Sequence, residues 1–262
     1  MSLPTPILLS QPQNATQFSS EQAHESVRRN SFKPSDFIQN LLSKKKSGIN
    51  IFKELHQRIA LNPPTFDSFL ENPTLNRSPN VLCLDRSRVI LSTKYGNGNY
   101  CHASYVDSYE RKDGYVFSQA PFSEETEELF WRMVIDVDPK MIIVLACITF
   151  QVGNEQMMRC FWSCEGEKVY SNTIRVCLVR VQRVKEVEAK FETRNSNGTT
   201  VLVCPNGATR CGTYAAVDVI LSRIVNEKKV GAKAAIEIIL SQRYGCFQLI
   251  EHYRNIHNIA LK

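Results

Sequence analysis

Apolar positions along the chain fall into two kinds of pattern. Short β-branched or aromatic runs at Val89–Leu91, Tyr100–Val106, Tyr115–Ser118, Met158–Trp162, Val176–Val187 and Thr200–Val203 predict strands. Met141–Thr149 is apolar throughout, which predicts a strand covered on both faces. Helical spacing predicts Glu124–Val137, with Leu129, Phe130 and Met133 inward and glutamates in the first turn. It also predicts Gly231–Gln242 and a last helix over Phe247–Ile259. Earlier in the chain, Pro34–Ser35 opens a helix through Leu42, and Ile51–Leu61 forms another, stopped by Pro63 and Pro64. Strands and helices mix without a simple βα repeat. The expected class is α/β, one domain over residues 34–262 with a mixed twisted sheet flanked by helices. Residues 1–33 are Ser-, Gln-, Asn- and Pro-rich and are expected to be a disordered or loosely attached tail.

One stretch joins the two patterns. Thr200–Val203 is a buried-strand run, and Cys204–Arg210 is a small-residue loop. From Gly212, a helix is expected whose apolar face is Tyr214, Val217, Ile220, Leu221, Ile224 and Val225. The first amides of a helix lack intrahelical partners and carry the positive end of its dipole, so a loop entering them makes a nest for an oxyanion. A thiolate at Cys204 is stabilised there, and Arg210 can hold two phosphate oxygens through its fork. Cys-x5-Arg in this setting points to nucleophilic attack on a phosphate ester through a phosphocysteine. The simpler alternative is a strand–helix loop with an incidental core cysteine. The expected phosphate-binding positions are Pro205, Asn206, Gly207, Ala208, Thr209 and Arg210.

Composition adds limits. A net charge of +6 suits acidic ligands, but no basic stripe interleaved with aromatics predicts nucleic-acid binding. The nine cysteines show no paired Cys-x2-Cys spacing, so neither a metal nor a cofactor is expected. Cys147, Cys177 and Cys246 lie in apolar runs and are expected to be buried, reduced thiols. No apolar run is long enough to span a bilayer, and the N-terminus has no signal-peptide pattern. A soluble intracellular protein that does not bind membranes is expected.

Several separated stretches resemble the classical protein tyrosine phosphatases. Asn76–Leu91 (N-R-S-P-N-V-L-C-L-D-R-S-R-V-I-L) is similar to the phosphotyrosine-recognition loop and its strand. Tyr100–Val106 (Y-C-H-A-S-Y-V) is similar to the Tyr-Ile-Asn-Ala-Asn-Tyr segment, and Ser118–Val134 to the Thr-Gln-Gly-Pro segment and its helix. Arg159–Trp162 sits where the family has Cys-x-x-Tyr-Trp. Val203–Tyr214 resembles the His-Cys-x5-Arg signature, and Gln248–Tyr253 the late glutamine loop. Within the family, the divergent cysteine-rich pattern is most similar to the phosphatase-like proteins of polydnaviruses, the bracovirus type.

The resemblance implies Cys204 as nucleophile, Arg210 as phosphate clamp, Gln248 positioning water, and Arg77 and Ser78 in substrate recognition. It also implies a phosphotyrosine-containing protein as partner, in a host signalling pathway, and a cytoplasmic setting that includes an infected host cell. The general acid of the family is an aspartate on a Trp-Pro-Asp loop, and this sequence has no such tripeptide. Between a strand Ile174–Val187 and the signature strand only Lys190–Gly198 remains, which implies a deleted acid loop. Glu192 is the only carboxylate in that turn, a candidate substitute acid or a solvated residue. Losing the acid removes about 10²–10⁴-fold in rate. Ser78 stands where the pocket aromatic is expected, Val203 where the histidine before the nucleophile is, and Cys211 where a hydroxyl donor to the thiolate is. Asp85, Arg86 and Arg88 are expected to serve folding. Three readings stay open: a catalytically impaired pseudophosphatase that binds phosphotyrosine, an active phosphatase, and an interaction protein with a vestigial pocket. Cys204 and Cys211 are a candidate redox pair, set against two reduced thiols.

Overall fold

The structure is a computed structural model. It describes residues 57, 64–146, 158, 160–162, 166–170, 173–177 and 198–260. A short helix α1 (Asp67–Glu71) leads to strands β1 (Arg88–Ile90), β2 (Tyr100–Val106) and β3 (Tyr115–Gln119). Helix α2 (Glu124–Val137) and strand β4 (Met141–Val144) follow, then β5 (Glu167–Tyr170) and β6 (Ile174–Cys177). The chain closes with β7 (Thr200–Cys204), α3 (Thr209–Glu227), α4 (Ala232–Gln242) and α5 (Ile250–Ala260).

Five strands form one mixed sheet in the order β1-β2-β3-β7-β4, antiparallel up to β3 and parallel from β3 through β7 to β4. Strand β7 has neighbours on both sides, and its side chains alternate between two cores. Val201 and Val203 join Phe130 and Met133 of α2 in one layer. Leu202 and Cys204 join Ala215, Ile236 and Ile256 of α3, α4 and α5 in the other. A strand covered on both faces reads as a continuous apolar run, as this one does. The predicted α/β class with a mixed sheet between helices stands.

Helix α2 starts where Ser123 and Thr126 cap each other's backbone N–H groups. Glu127 of its first turn is fully buried rather than solvated. Its carboxylate binds Lys168 and accepts from the Tyr170 hydroxyl at 3.0 Å, tying the β5–β6 hairpin to the helix.

The structure corrects several expectations. Strand β4 is shorter than Met141–Thr149; its residues are only half-buried, and among the described residues it is an edge strand with β7 as its only partner. Of Met158–Trp162, only Met158 makes an isolated bridge, and 160–162 are not strand. Val176 and Cys177 belong to the hairpin, not the central sheet, and Cys177 is exposed, β5 being the one partner of its strand among the described residues. Helix α3 begins at Thr209, and its buried face is Cys211, Gly212, Ala215, Ala216, Val219 and Ile220. Leu221 and Val225, expected inward, are 37% and 63% exposed. The helix packs on small side chains that let its backbone approach the sheet, a contact that a hydrophobicity pattern ranks low. The predicted tail, the helices before Pro64 apart from Gln57, which is helical and exposed, Cys147 and Lys190–Asn197 with Glu192 lie outside the described residues.

Candidate functional site

Strand β7 ends at Cys204, and the four residues Pro205–Ala208 turn the chain into α3. The turn is closed by the Gly207 N–H donating to the Cys204 carbonyl at 3.0 Å. Gly207 has φ +66°, and a Cβ there would stand 2.3 Å from the backbone nitrogen of Gln119. Only glycine fits this left-handed turn pressed against the end of β3.

Cys204 is completely buried at the floor of the loop. The Cys211 thiol donates to its sulfur at 3.3 Å. That bond, with the backbone N–H groups of Cys211, Arg210 and Ala208, outweighs burial and pulls the Cys204 thiol down to about 6 from its usual 9.0. Near neutral pH the sulfur is therefore largely thiolate. Burial pushes Cys211 and Cys246 upward, so these two remain protonated donors, to Cys204 and to the Ala208 carbonyl respectively.

The expected cradle residues are brought together, with two changes. Pro205 has no N–H and cannot donate to an anion, so its expected phosphate-binding role is withdrawn. Asn206 fills part of the nest itself: its Oδ1 accepts from the N–H of Ala208 and of Thr209, both at 3.1 Å. Its Nδ2 donates to the Thr209 hydroxyl at 2.8 Å, and Oδ1 lies 3.4 Å from the Cys204 sulfur. Arg210 sits in the first turn of α3 with an exposed side chain, and Nη1 donates to the Leu145 carbonyl beyond β4 at 3.1 Å.

The loop expected to recognise substrate lies alongside. Arg77 N–H donates to the Gln119 Oε1 at 2.9 Å, and Gln119 Nε2 donates to the Leu75 carbonyl at 2.6 Å. Ser78 is half-buried, and its carbonyl accepts from Val81. Gln248 is exposed, and its Nε2 donates to the Asn80 carbonyl at 2.8 Å, so it braces the recognition loop. Asp85 accepts from the N–H of Asp67 and Ser68, Arg86 donates to the Ser241 carbonyl, and Arg88 donates to the Asn99 carbonyl. All three hold backbone, the folding role expected of them.

Beneath the cradle is a network not singled out from the sequence. Arg243 is fully buried, and its Nε donates to the Gly207 carbonyl at 3.0 Å. Its Nη1 donates to the Ser104 hydroxyl at 3.0 Å, and Nη2 meets His102 Nδ1 at 3.1 Å. A guanidinium only donates, so Nδ1 accepts and His102 carries its proton on Nε2, which donates to the Val81 carbonyl at 2.8 Å. Burial, then the charge of Arg243, holds His102 well below the usual imidazole range. The signal was a histidine where the resembled segment carries asparagine.

Among the described residues, no group of acidic, histidine and cysteine side chains could hold a metal ion. None of their helices is long and apolar enough to cross a membrane. The arrangement offers a buried, activated sulfur and a ring of backbone donors, with the Arg210 guanidinium turned to the Leu145 carbonyl at the surface.

Comparison with known proteins accords with this geometry. The family model for protein-tyrosine phosphatases matches residues 72–194 and 178–262. Tyrosine phosphatase H2 of Microplitis demolitor bracovirus is 33% identical over 140 residues, 53% of this chain and 39% of the viral protein. A Lar-like tyrosine-protein phosphatase of Caenorhabditis elegans is 25% identical over 236 residues, 72% of this chain and 10% of the relative. Human receptor-type tyrosine-protein phosphatase zeta is 25% identical over 246 residues, 73% of this chain and 10% of the relative. The chain thus spans about a tenth of the length of the two animal proteins. By its signature loop, its sheet and the family match over residues 72–262, this chain belongs to the protein-tyrosine phosphatase family.

Proposed function

We propose that this chain binds a phosphotyrosine-containing protein through the Cys204–Arg210 loop and turns it over slowly or not at all. The observation that carries the binding half is Cys204, held as a thiolate by the first-turn amides of α3, the turn that also carries Arg210. Three features support impaired turnover. Pro205 removes one donor from the ring, and Asn206 occupies two others. The sequence between the β6 region and β7 lacks a Trp-Pro-Asp acid. A phenolate leaving without a proton donor forfeits about 10²–10⁴-fold in rate. Ser78 in place of an aromatic gives a shallower entrance with no ring to stack on the substrate. We further propose that residues 34–262 are one domain, and that its partner is a host signalling phosphoprotein in the cytoplasm, as the bracovirus relative suggests.

The lowered Cys204 thiol also favours a second reading, an active phosphatase working through a phosphocysteine. Release of phosphate from a phosphotyrosyl peptide, with peptide affinity measured in parallel, separates the two. The expected result is measurable affinity, lost in Arg210→Ala, with a rate far below the usual range of about 1–10³ s⁻¹. Turnover within that range that disappears in Cys204→Ser establishes the active reading. Affinity unchanged in Arg210→Ala leaves a vestigial pocket.

A further inference from the structure

The amides that make the loop an anion site are already partly taken. Ala208 and Thr209 contribute the first N–H groups of α3, the donors that a phosphate oxygen would seek. Both point at one atom, Asn206 Oδ1, at 3.1 Å. The same atom accepts from the Cys204 thiol at 3.4 Å when that thiol is protonated. The orientation of the carboxamide is fixed by its other end, since Nδ2 donates to the Thr209 hydroxyl at 2.8 Å. The side chain is thus clamped at both ends, with its oxygen standing among the ring's own donors.

We infer that Asn206 is a specificity-determining residue: its carboxamide oxygen is the resident occupant of the oxyanion position, and a ligand enters only by displacing it. This rests on the reading of the loop as a phosphate site. A neutral acceptor already satisfies two amides, so an entering ligand gains only the difference between its bonds and those of the carboxamide. Charge-assisted hydrogen bonds are roughly twice as strong as neutral ones. A tetrahedral dianion therefore displaces Asn206, whereas a neutral or weakly basic acceptor does not. Phosphate monoesters carry about −1.5 to −2 charges at pH 7, with a second pKa of about 6. Entry is expected to strengthen as the ligand loses its second proton. Ionisation of Cys204 adds a push: the thiol that donates to Oδ1 becomes a negative sulfur that repels it, which loosens the occupant.

Asn206 also holds the turn that leads into α3, through the N–H of the cap residue Ala208 and of Thr209, and the experiment has to separate the two roles. Binding of inorganic phosphate is measured by titration calorimetry in the full chain, in Asn206→Ala and in Asn206→Asp, with thermal unfolding of each. Aspartate offers the same two amides an acceptor oxygen, as asparagine does. Removal of the occupant in Asn206→Ala is expected to tighten phosphate roughly tenfold, the scale of one to two net hydrogen bonds, although the turn loses these bonds and the protein melts lower. A negative occupant in Asn206→Asp keeps the acceptor for both amides, though not the donor to Thr209, and is expected to weaken phosphate at least about tenfold. It should also slow alkylation of Cys204, by disfavouring the thiolate. If both variants bind phosphate as the parent does, Asn206 only holds the turn and the inference is wrong. If neither the parent nor Asn206→Ala binds phosphate, the phosphate reading of the loop itself falls, and the inference with it.

Discussion

The sulfur of Cys211 lies 3.3 Å from that of Cys204, with the Cys211 thiol as donor. Both atoms are fully buried, one at the end of β7 and the other one turn into α3. Their environments push them in opposite directions. Amides and a thiol donor lower Cys204, whereas burial raises Cys211. The proton therefore belongs to Cys211, and the negative charge to Cys204.

Removal of this donor is expected to raise the Cys204 thiol. A hydrogen bond to a charged group contributes about 1.5–3 kcal/mol, equivalent to one to two pH units. Cys211→Ala should shift the midpoint of iodoacetamide reactivity at Cys204 upward by about that much, and Cys211→Ser should restore it. The same linkage sets a stability window. Because the folded thiol ionises at about 6 rather than 9.0, its contribution is full above 9.0 and is lost as pH falls through about 6. An unchanged midpoint in Cys211→Ala would show that the amides alone hold the thiolate.

The same contact is expected to close under peroxide. The Cys204 thiolate attacks one peroxide oxygen, the O–O bond breaks, and hydroxide leaves a sulfenic acid. Cys211 sulfur then displaces that hydroxyl as water, so two thiols supply two electrons and one peroxide yields two waters. Bond formation needs an approach of about 1.3 Å, from the present contact to a disulfide of about 2.05 Å. Mass spectrometry of peroxide-treated protein should recover a Cys204–Cys211 crosslinked peptide that dithiothreitol reverses. Recovery of both thiols unmodified supports two stable reduced cysteines instead.

The pair His102 and Arg243 is expected to make the loop sensitive to acid. His102 is held neutral by burial and by the adjacent guanidinium. In the unfolded chain it takes a proton near pH 6.5, and in the fold only well below that. The unfolded state therefore binds more protons as pH falls through 6.5, and stability declines over that range. Packed against His102 are Arg243, the Val81 carbonyl and the Phe69 ring, and none of these offers a charge to stabilise an imidazolium. His257, buried against the Tyr253 carbonyl, titrates with the same sign, so the variant must isolate His102. Asn at 102 can accept from Arg243 and donate to Val81 without titrating. His102→Asn should keep stability at pH 7.5 and flatten its acid decline. His102→Leu leaves two buried polar groups unmatched and should cost about 2–5 kcal/mol at pH 7.5, a cost that narrows as the parent declines in acid. Chemical denaturation from pH 5 to 8 measures both, and parallel acid slopes in the parent and His102→Asn would remove His102 from the acid response.

Local chemistry fixed a large part of this molecule. The run Thr200–Val203 is apolar because β7 is covered on both faces, and the small residues after Cys204 turn the chain into a helix whose free amides surround the sulfur. Those features depend on neighbours in the chain, and periodicity and spacing carry them. Other features depend on residues far apart in sequence. The Gly207 carbonyl is held by Arg243, Arg243 by His102, and His102 reaches Val81. The inner face of α3 follows Ala215 and Ala216 because the sheet needs close approach, and Leu221 and Val225 are left outside. The sequence alone determined that Cys204 and Arg210 share a strand–loop–helix turn. Only the tertiary structure decided that the turn's amides are partly filled by Asn206, because a side chain's choice between backbone donors and solvent depends on where the folded loop puts them.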